Sequence, residues 1–289
     1  MQPILADLVA HLALERLEDN LFRGPSRDIG TAQVFGGQVL GQALKAAQST
    51  VDKRNVHSLH AYFLRRGDFN APIIYEVDRS RDGNSFSARR VVAVQHGHPI
   101  FTLAASFQSL EDGLEFQTPL PSVPPPEQLS SVREYETRDL NRLPDKVHRL
   151  LKLSEPFDLR PVELGSQHLA EDVATCRQFW LRTVDRLPDD RDLHQSILAY
   201  VSDYGLLTTT LQPHGLHFTD MDLQMASIDH AMWFHRPFRV DEWLLCEYEV
   251  ISTSNARGLA RGAIYQRDGK LIATTIQEGL VRVRTARQQ

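Results

Sequence analysis

The chain repeats one short motif, and this repeat constrains the fold more than any other feature. The two copies read HAYFLRRG at 60–67 and HAMWFHRP at 230–237. In each half the motif is followed by a glycine turn near a glutamine, Gln95 or Gln266, and then by a final apolar strand. A duplication of this size predicts two similar subdomains packed against each other. Function is therefore sought where the two copies differ.

Each half is predicted to contain one long helix followed by an antiparallel meander, which makes an α+β unit. The first helix is expected to begin at Gly36-Gly37, after a short amphipathic helix at 8–21. Strands are expected at 58–64, 73–79, 85–95 and 100–108. In the second half a strand at 179–184 should precede a helix at 193–211, with strands at 228–236, 242–253, 258–266 and 271–283.

A proline-rich stretch separates the two halves. Five prolines lie between 119 and 126, and the charged segment 133–149 follows, with its end expected to be partly helical. This composition is typical of a linker. We therefore expect units at 1–110 and 151–289 with a linker at 111–150, and we expect the second unit to carry the catalytic residues.

Composition excludes several classes of function. The chain has 289 residues, of which 42% are apolar, and a net charge of −5. A globular protein is expected, and nucleic acid is an unfavourable partner for this charge. There is no run of roughly 20 apolar residues and no basic leader, so neither a membrane span nor a signal peptide is predicted. Cys176 and Cys246 have no metal or disulfide spacing, which favours a reducing, cytoplasmic location.

Common catalytic motifs are missing from the sequence. It contains no G-x-S-x-G, Walker, G-x-G-x-x-G or H-E-x-x-H pattern. Closely spaced histidines occur at 57/60, 96/98 and 214/217, but no carboxylate or cysteine completes a ligand set at metal spacing. The sequence therefore predicts no metal and no cofactor.

Asp203 is the residue that most suggests chemistry. It lies in SILAYVSDYGLL at 196–207, the most apolar helical segment of the second half. A carboxylate there is costly unless it is paired, and such groups cluster at functional sites. A solvent-facing or capping role is the alternative. The comparison of halves favours function, because the first helix segment, 36–50, contains no Asp or Glu.

Two further polar residues interrupt apolar strand patterns in the second half. Ser227 precedes the strand of the second motif, and Gln277 lies within the apolar run at 272–280. Each alone fits an ordinary strand residue. With Asp203 they form a set of acceptor, hydroxyl and amide that can hold one water while the carboxylate draws its proton.

Four segments resemble the type II acyl-CoA thioesterase family: ASIDHAMWFHRP at 226–237, SDY at 202–204, TIQEG at 275–279 and RDGNSFSARR at 81–90. The resemblance covers almost the whole chain. It implies a double hotdog fold, in which one combined sheet encloses the two central helices. It also implies hydrolysis of fatty acyl-CoA, a role in lipid metabolism, and a homodimer or homotetramer.

The same resemblance assigns the catalytic water to Asp203, Ser227 and Gln277. Well-known members of the family carry Thr where this chain has Ser227. Serine keeps the hydroxyl and loses the methyl group that restricts its rotamer, so the role should survive.

Several alternatives stay open at this stage. A hydratase or dehydratase would need a histidine beside the hotdog helix, and His194 lies only at the start of the second one. A non-catalytic acyl-CoA binder would have no use for the three polar residues. The glycines at 36–37 fit either an oxyanion donor at a helix N-terminus or close helix packing. Six arginines could either bind the phosphates of coenzyme A or simply be solvated: Arg79, Arg81, Arg89, Arg90, Arg257 and Arg261.

Overall fold

The computed structural model of the chain describes residues 1–28, 33–134, 155–162, 175–218 and 223–283. The predicted start of the second unit and most of the charged segment at 133–149 lie outside these ranges. Within them, no helix combines the length and apolar character that crossing a bilayer requires.

The described residues form four α-helices and thirteen strands. Two short 3₁₀ turns lie at Pro126–Gln128 and Gln212–His214, and residues 132–134 are also helical. The helices are α1 (Pro3–Leu12), α2 (Gly36–Gln48), α3 (Arg191–Ser202) and α4 (Leu206–Thr209). The strands are β1 (Glu15–Glu18), β2 (Leu21–Gly24), β3 (Asn55–Phe63), β4 (Ile73–Asp82), β5 (Phe86–Gln95), β6 (His98–Gln108), β7 (Phe157–Pro161), β8 (Cys176–Thr183), β9 (Leu223–Ser227), β10 (Asp229–Phe234), β11 (Leu244–Ser254), β12 (Arg257–Gln266) and β13 (Leu271–Val283).

All of these strands belong to one antiparallel sheet whose order is mirrored about its centre. The order is β1-β2-β4-β5-β6-β3-β10-β13-β12-β11-β8-β7, with β9 also paired to β13. The strands of the two halves therefore follow the same plan, and the motif strands β3 and β10 meet at the middle. This arrangement agrees with the helix-then-meander order predicted for each half.

The two central helices lie antiparallel and in close contact. Nearly all residues of α2 and α3 are buried, as expected for helices that a sheet encloses. A Cβ placed on Gly37 would lie 2.1 Å from the Tyr200 carbonyl oxygen, and one on Gly41 would lie 3.0 Å from that of Ser196. Glycine at these positions therefore lets the two backbones approach each other.

Two helices were predicted with incorrect boundaries, and each error has a local cause. The helix expected at 8–21 instead occupies Pro3–Leu12, and a hairpin turning at Asp19-Asn20 joins β1 to β2. The helix expected at 193–211 is divided, because Gly205 adopts a left-handed conformation with φ of 83°. Glycine tolerates this conformation without a Cβ clash. Asp203 consequently caps the end of α3 and does not lie in its interior.

In the sheet, the two copies of the motif are paired with an offset of one residue, so that the two histidines are not opposite each other. Ala231 pairs with His60 and His230 pairs with Ala61. Directly opposed residues of an antiparallel pair point to the same face. His230 and Ala61 therefore point inward and are buried, whereas His60 points outward and is exposed. The two identical histidines of the motif thus have different environments and different chemistry.

The first half carries a buried arginine on the strand beside the position that corresponds to Gln277. Strands β5 and β12 each have ten residues, and alignment of their ends places Arg89 opposite Ala260. Their partners across the ladder are Ala105 and Gln277. Arg89 is 2% exposed and fills the space at the end of α2.

Arg89 is tied into the structure by several hydrogen bonds. Its guanidinium donates to Thr50 Oγ1 (2.8 Å), to the Thr50 carbonyl (3.0 Å) and to Asp82 Oδ1 (2.7 Å). These bonds hold the pKa of the Asp82 carboxyl below its usual range, with the Arg89 hydrogen bond as the largest cause. The suggestion that Arg89 meets a substrate phosphate is therefore wrong.

Arg89→Met should lower the free energy of unfolding by about 2 kcal/mol, because buried oxygens lose charge-assisted hydrogen bonds. The hydrolytic rate of the folded fraction should not change, since Arg89 lies at the opposite helix end from Asp203. Urea unfolding would measure the effect. Arg90→Met, at the exposed neighbouring position, is the control. Equal unfolding midpoints for the two variants would contradict this account.

Candidate active site

Asp203 lies where the two halves of the molecule meet. Because α2 and α3 are antiparallel, the C-terminal end of α3 lies beside the first turn of α2. The backbone N–H of Gly37 donates a hydrogen bond to the Asp203 carboxylate. A helix N-terminus favours negative charge, so the first half stabilises a carboxylate supplied by the second.

The structure brings the three predicted residues together from separate elements. Ser227 is the last residue of β9, and Gln277 points inward from the middle of β13. Gln277 Nε2 donates to Asp203 Oδ1 at 2.5 Å and to Ser227 Oγ at 3.1 Å. Ser227 Oγ donates to Asp203 Oδ1 at 3.3 Å. One carboxylate oxygen is therefore held by both neighbours.

The other carboxylate oxygen faces the start of α2. A Cβ added to Gly36 would lie 2.7 Å from Asp203 Oδ2 and 2.9 Å from the Phe63 ring. Glycine at 36 therefore leaves room beside Oδ2. Gly37 allows close packing of the two helices, as one interpretation of the glycine pair predicted. Its amide also donates a hydrogen bond to the Asp203 carboxylate.

Burial makes Asp203 a better proton acceptor than an ordinary aspartate. Asp203 is half-buried, and the partial removal of water from its carboxyl group raises the pKa to about 6. Hydrogen bonds from Gln277, Ser227 and the Gly37 amide favour the ionised form and oppose this rise. A carboxylate with a pKa in this range can act as a general base near neutral pH.

A second polar cluster lies behind the three residues and was not predicted. His230 Nε2 lies 2.9 Å from Ser202 Oγ and 3.0 Å from Thr275 Oγ1. Both hydroxyls donate to backbone carbonyls, so the ring nitrogen acts as the donor to them. Burial lowers the pKa of His230 to about 3 and keeps the ring neutral. The sequence signal was present, because Ser202 adjoins Asp203 and Thr275 shares the inward face of β13 with Gln277.

A cleft of about 320 Å³ opens from this site along the end of β3. The cleft is lined by Gly36 and Ser227 next to the three polar residues, and by Arg65 and Arg66 beyond the end of β3. None of the six arginines considered for phosphate binding lines this cleft. Phe63 contributes to its wall, whereas the other large apolar side chains that the sequence offers for an acyl tunnel do not line it: Phe35, Tyr62, Met232, Trp233 and Phe234.

No metal cluster occurs in the part of the chain that the structure describes, where three or more His, Cys, Asp or Glu side chains never converge. The closely spaced histidines have separate partners. His57 contacts Ser106, His96 contacts Asp68 and His214 contacts Thr253.

Comparison with known proteins identifies the family. The model for acyl-CoA thioesterases matches residues 148–280, and that for their N-terminal domain matches residues 23–108. The chain is 41% identical to acyl-CoA thioesterase 2 of Haemophilus influenzae, over 98% of this chain and 99% of that protein.

Solved structures agree with these matches. The acyl-CoA thioesterase II TesB2 of Mycobacterium marinum aligns with a TM-score of 0.79 and 41% identity, covering 96% of this chain and 98% of that one. A conserved hot dog fold protein from Alicyclobacillus acidocaldarius aligns with a TM-score of 0.78 at 19% identity, covering 96% of this chain and 99% of that one. The last comparison supports the fold alone. The chain therefore belongs to the type II acyl-CoA thioesterase family.

Proposed function

We propose that this acyl-CoA thioesterase splits a fatty acyl-CoA into free fatty acid and coenzyme A by direct attack of one water. The observation that carries the proposal is the convergence of Asp203, Ser227 and Gln277 at the first turn of α2. A thioester carbonyl is a good electrophile, so a positioned water with a carboxylate base is sufficient and no covalent nucleophile is needed.

The two oxygens of Asp203 have different roles in this mechanism. Oδ1 accepts hydrogen bonds from Gln277 and Ser227, which fixes the plane of the carboxylate. Oδ2 lies beside Gly36, which lines the cleft. The water binds at Oδ2 and gives its proton to Asp203 as its oxygen attacks the carbonyl carbon.

Ser227 and Gln277 supply the remaining contacts to the water. The Gln277 side-chain oxygen is buried without a hydrogen-bond partner among the described residues, so it can accept a hydrogen bond from the second O–H of the water. Ser227 offers an oxygen on the same side. The positive end of the α2 helix dipole, at its first turn, stabilises the negative charge that develops on the carbonyl oxygen.

The collapse of the tetrahedral intermediate completes the reaction. The carbon–sulfur bond breaks, and the proton held by Asp203 neutralises the leaving thiolate. Asp203 returns to its ionised state, so the site is ready for another substrate.

The competing functions lack a matching arrangement. His194, the histidine of α3, lies at the far end of that helix from Asp203, and its Nδ1 accepts a hydrogen bond from the Val240 amide. This does not give the histidine–carboxylate pair that a hydratase requires. A non-catalytic binder would retain a cleft but would gain nothing from a desolvated carboxylate.

We also infer that the chain is a double hotdog, with units at 1–110 and 151–289 joined by a linker at 111–150. The mirrored strand order and the paired central helices support this assignment. A homodimer or homotetramer and a cytoplasmic location stay predictions from the sequence.

The test is thiol release from saturated acyl-CoAs of increasing chain length, measured as a function of pH. Because Asp203 acts when ionised, kcat/KM should rise as pH increases through about 6 and then become constant. Rapid-quench measurements should show no initial burst of coenzyme A. A burst would indicate an acyl-enzyme, and a rate that falls across pH 5–7 would exclude Asp203 as the base.

A further inference from the structure

The cleft beside Asp203 combines apolar and polar walls along its length. Phe63, Ile100 and Met225 contribute apolar surface, whereas Gln33 and Gln224 contribute amide groups. A saturated acyl chain has no hydrogen-bonding groups, so burying it against the Gln224 amide would not replace the water that this amide loses. The pantetheine arm of coenzyme A has two amides and a branched apolar segment, and it matches both kinds of wall.

Two adjacent arginines occupy the exposed part of this cleft. Arg65 donates from Nη1 to the Pro99 carbonyl at 2.6 Å, and Arg66 makes no hydrogen bond or ion pair within the described ranges. Neither arginine has a carboxylate partner among the described residues. By contrast, Arg257 is paired with Glu278 and Arg261 with Glu249. Among the described residues, no carboxylate therefore neutralises the charge at 65–66.

The path from the reacting centre to these arginines is short. The Phe63 amide donates to the Ile228 carbonyl at 2.9 Å, which places the end of β3 beside the residue that follows Ser227. From Phe63 to Arg66 the backbone advances by at most about 10 Å, at roughly 3.3 Å per residue. The long arginine side chains extend this distance further. A phosphate group can therefore reach them through the arm that separates the sulfur from the phosphates of coenzyme A.

We propose that this cleft holds the pantetheine arm of the substrate and that Arg65 and Arg66 bind the phosphates of coenzyme A. Arginine suits this role because its planar guanidinium donates two parallel hydrogen bonds to phosphate oxygens. The proposal rests on the function proposed above and adds the residues that recognise the leaving group. It places substrate recognition on the first half of the chain and bond cleavage on the second.

The test compares two substrates with the same acyl group, one a coenzyme A thioester and the other a pantetheine thioester without phosphates. Arg66→Gln should lower kcat/KM for acyl-CoA by about tenfold, and Arg65→Gln with Arg66→Gln by about a hundredfold, on the scale of hydrogen bonds to charged groups. The rate on acyl-pantetheine should not change. Arg261→Gln is the matched control and should leave both substrates unaffected.

A second measurement separates this proposal from the proposed function. Titration calorimetry of coenzyme A with the wild type and with the Arg65→Gln, Arg66→Gln double variant needs no turnover. Weaker binding by the variant supports the phosphate site even if no thioester is hydrolysed. Equal binding, or an equal loss of kcat/KM on both substrates, would overturn it.

Discussion

Asp203→Asn should lower kcat for acyl-CoA hydrolysis by roughly 100-fold or more, the scale for loss of a general base. The substitution keeps the shape of the side chain and removes its ability to accept a proton. The residual rate should also lose its rise through pH 6, because that rise reports ionisation of Asp203. Thiol release at saturating substrate across pH 5–9 measures both effects. Asp268→Asn, at the exposed turn before β13, is the control.

The same variant should be more stable than the wild type at neutral pH. Burial raises the folded-state pKa of Asp203 to about 6, so the folded state binds its proton more tightly than the unfolded state does. This carboxylate therefore destabilises the fold above about pH 6, and the penalty disappears as pH falls below 4. At about 1.4 kcal/mol per pKa unit the effect amounts to about 3 kcal/mol.

Urea unfolding at pH 4 and pH 8 should show this difference. The stability of Asp203→Asn relative to the wild type is expected to be greater at pH 8. An active Asp203→Asn enzyme, or one with the same stability profile as the wild type, would place the base elsewhere.

Gly37→Ala should disrupt the fold, whereas Gly36→Ala should disrupt the chemistry. The methyl group at 37 would lie 2.1 Å from the Tyr200 backbone oxygen, so the central helices must separate. A loss of about 4 kcal/mol or more is expected, as for severe overpacking. The methyl group at 36 would instead meet side-chain atoms of Asp203 and Phe63, which can move.

For Gly36→Ala we expect a folded enzyme whose kcat falls by about 100-fold, because small displacements of a reacting group are costly. Circular dichroism with urea titration, together with thiol release, separates the two variants. Gly113→Ala is the control, since a Cβ there would contact nothing within 4 Å. If Gly36→Ala were fully active, Oδ2 would not be the oxygen that holds the water.

The predicted trio could be found in the sequence because each member breaks an apolar pattern. Asp203, Ser227 and Gln277 are separated in sequence, yet the duplication placed their segments in one unit. The repeat could not reveal the role of α2, because the contact between Gly37 and Asp203 joins the two halves and leaves no local pattern. The Ser202–His230–Thr275 cluster was missed for a different reason: its members lie close to the predicted trio in the second half but look like ordinary helix and strand residues.

Other errors had readable local causes. The sequence contains Gly205 directly after Tyr204 and Asn20 after Asp19, both of which are signals for a turn. The apolar periodicity outweighed them and extended each helix too far. Arg89 was misjudged for a different reason, since a strand arginine is ordinarily exposed and only the end of α2 explains its burial.

Arg89 occupies the position that corresponds to the Asp203 site, and this has a consequence for how such an enzyme can change. In a symmetric dimer of identical units, every substitution appears in both copies, so a residue improved for binding also alters the catalytic copy. Here a single chain contains both halves, and each can vary separately. If Arg65 and Arg66 bind the leaving group as proposed, they can vary without any change at Asp203, while Arg89 fills the end of α2 in the first half without a carboxylate that must stay reactive.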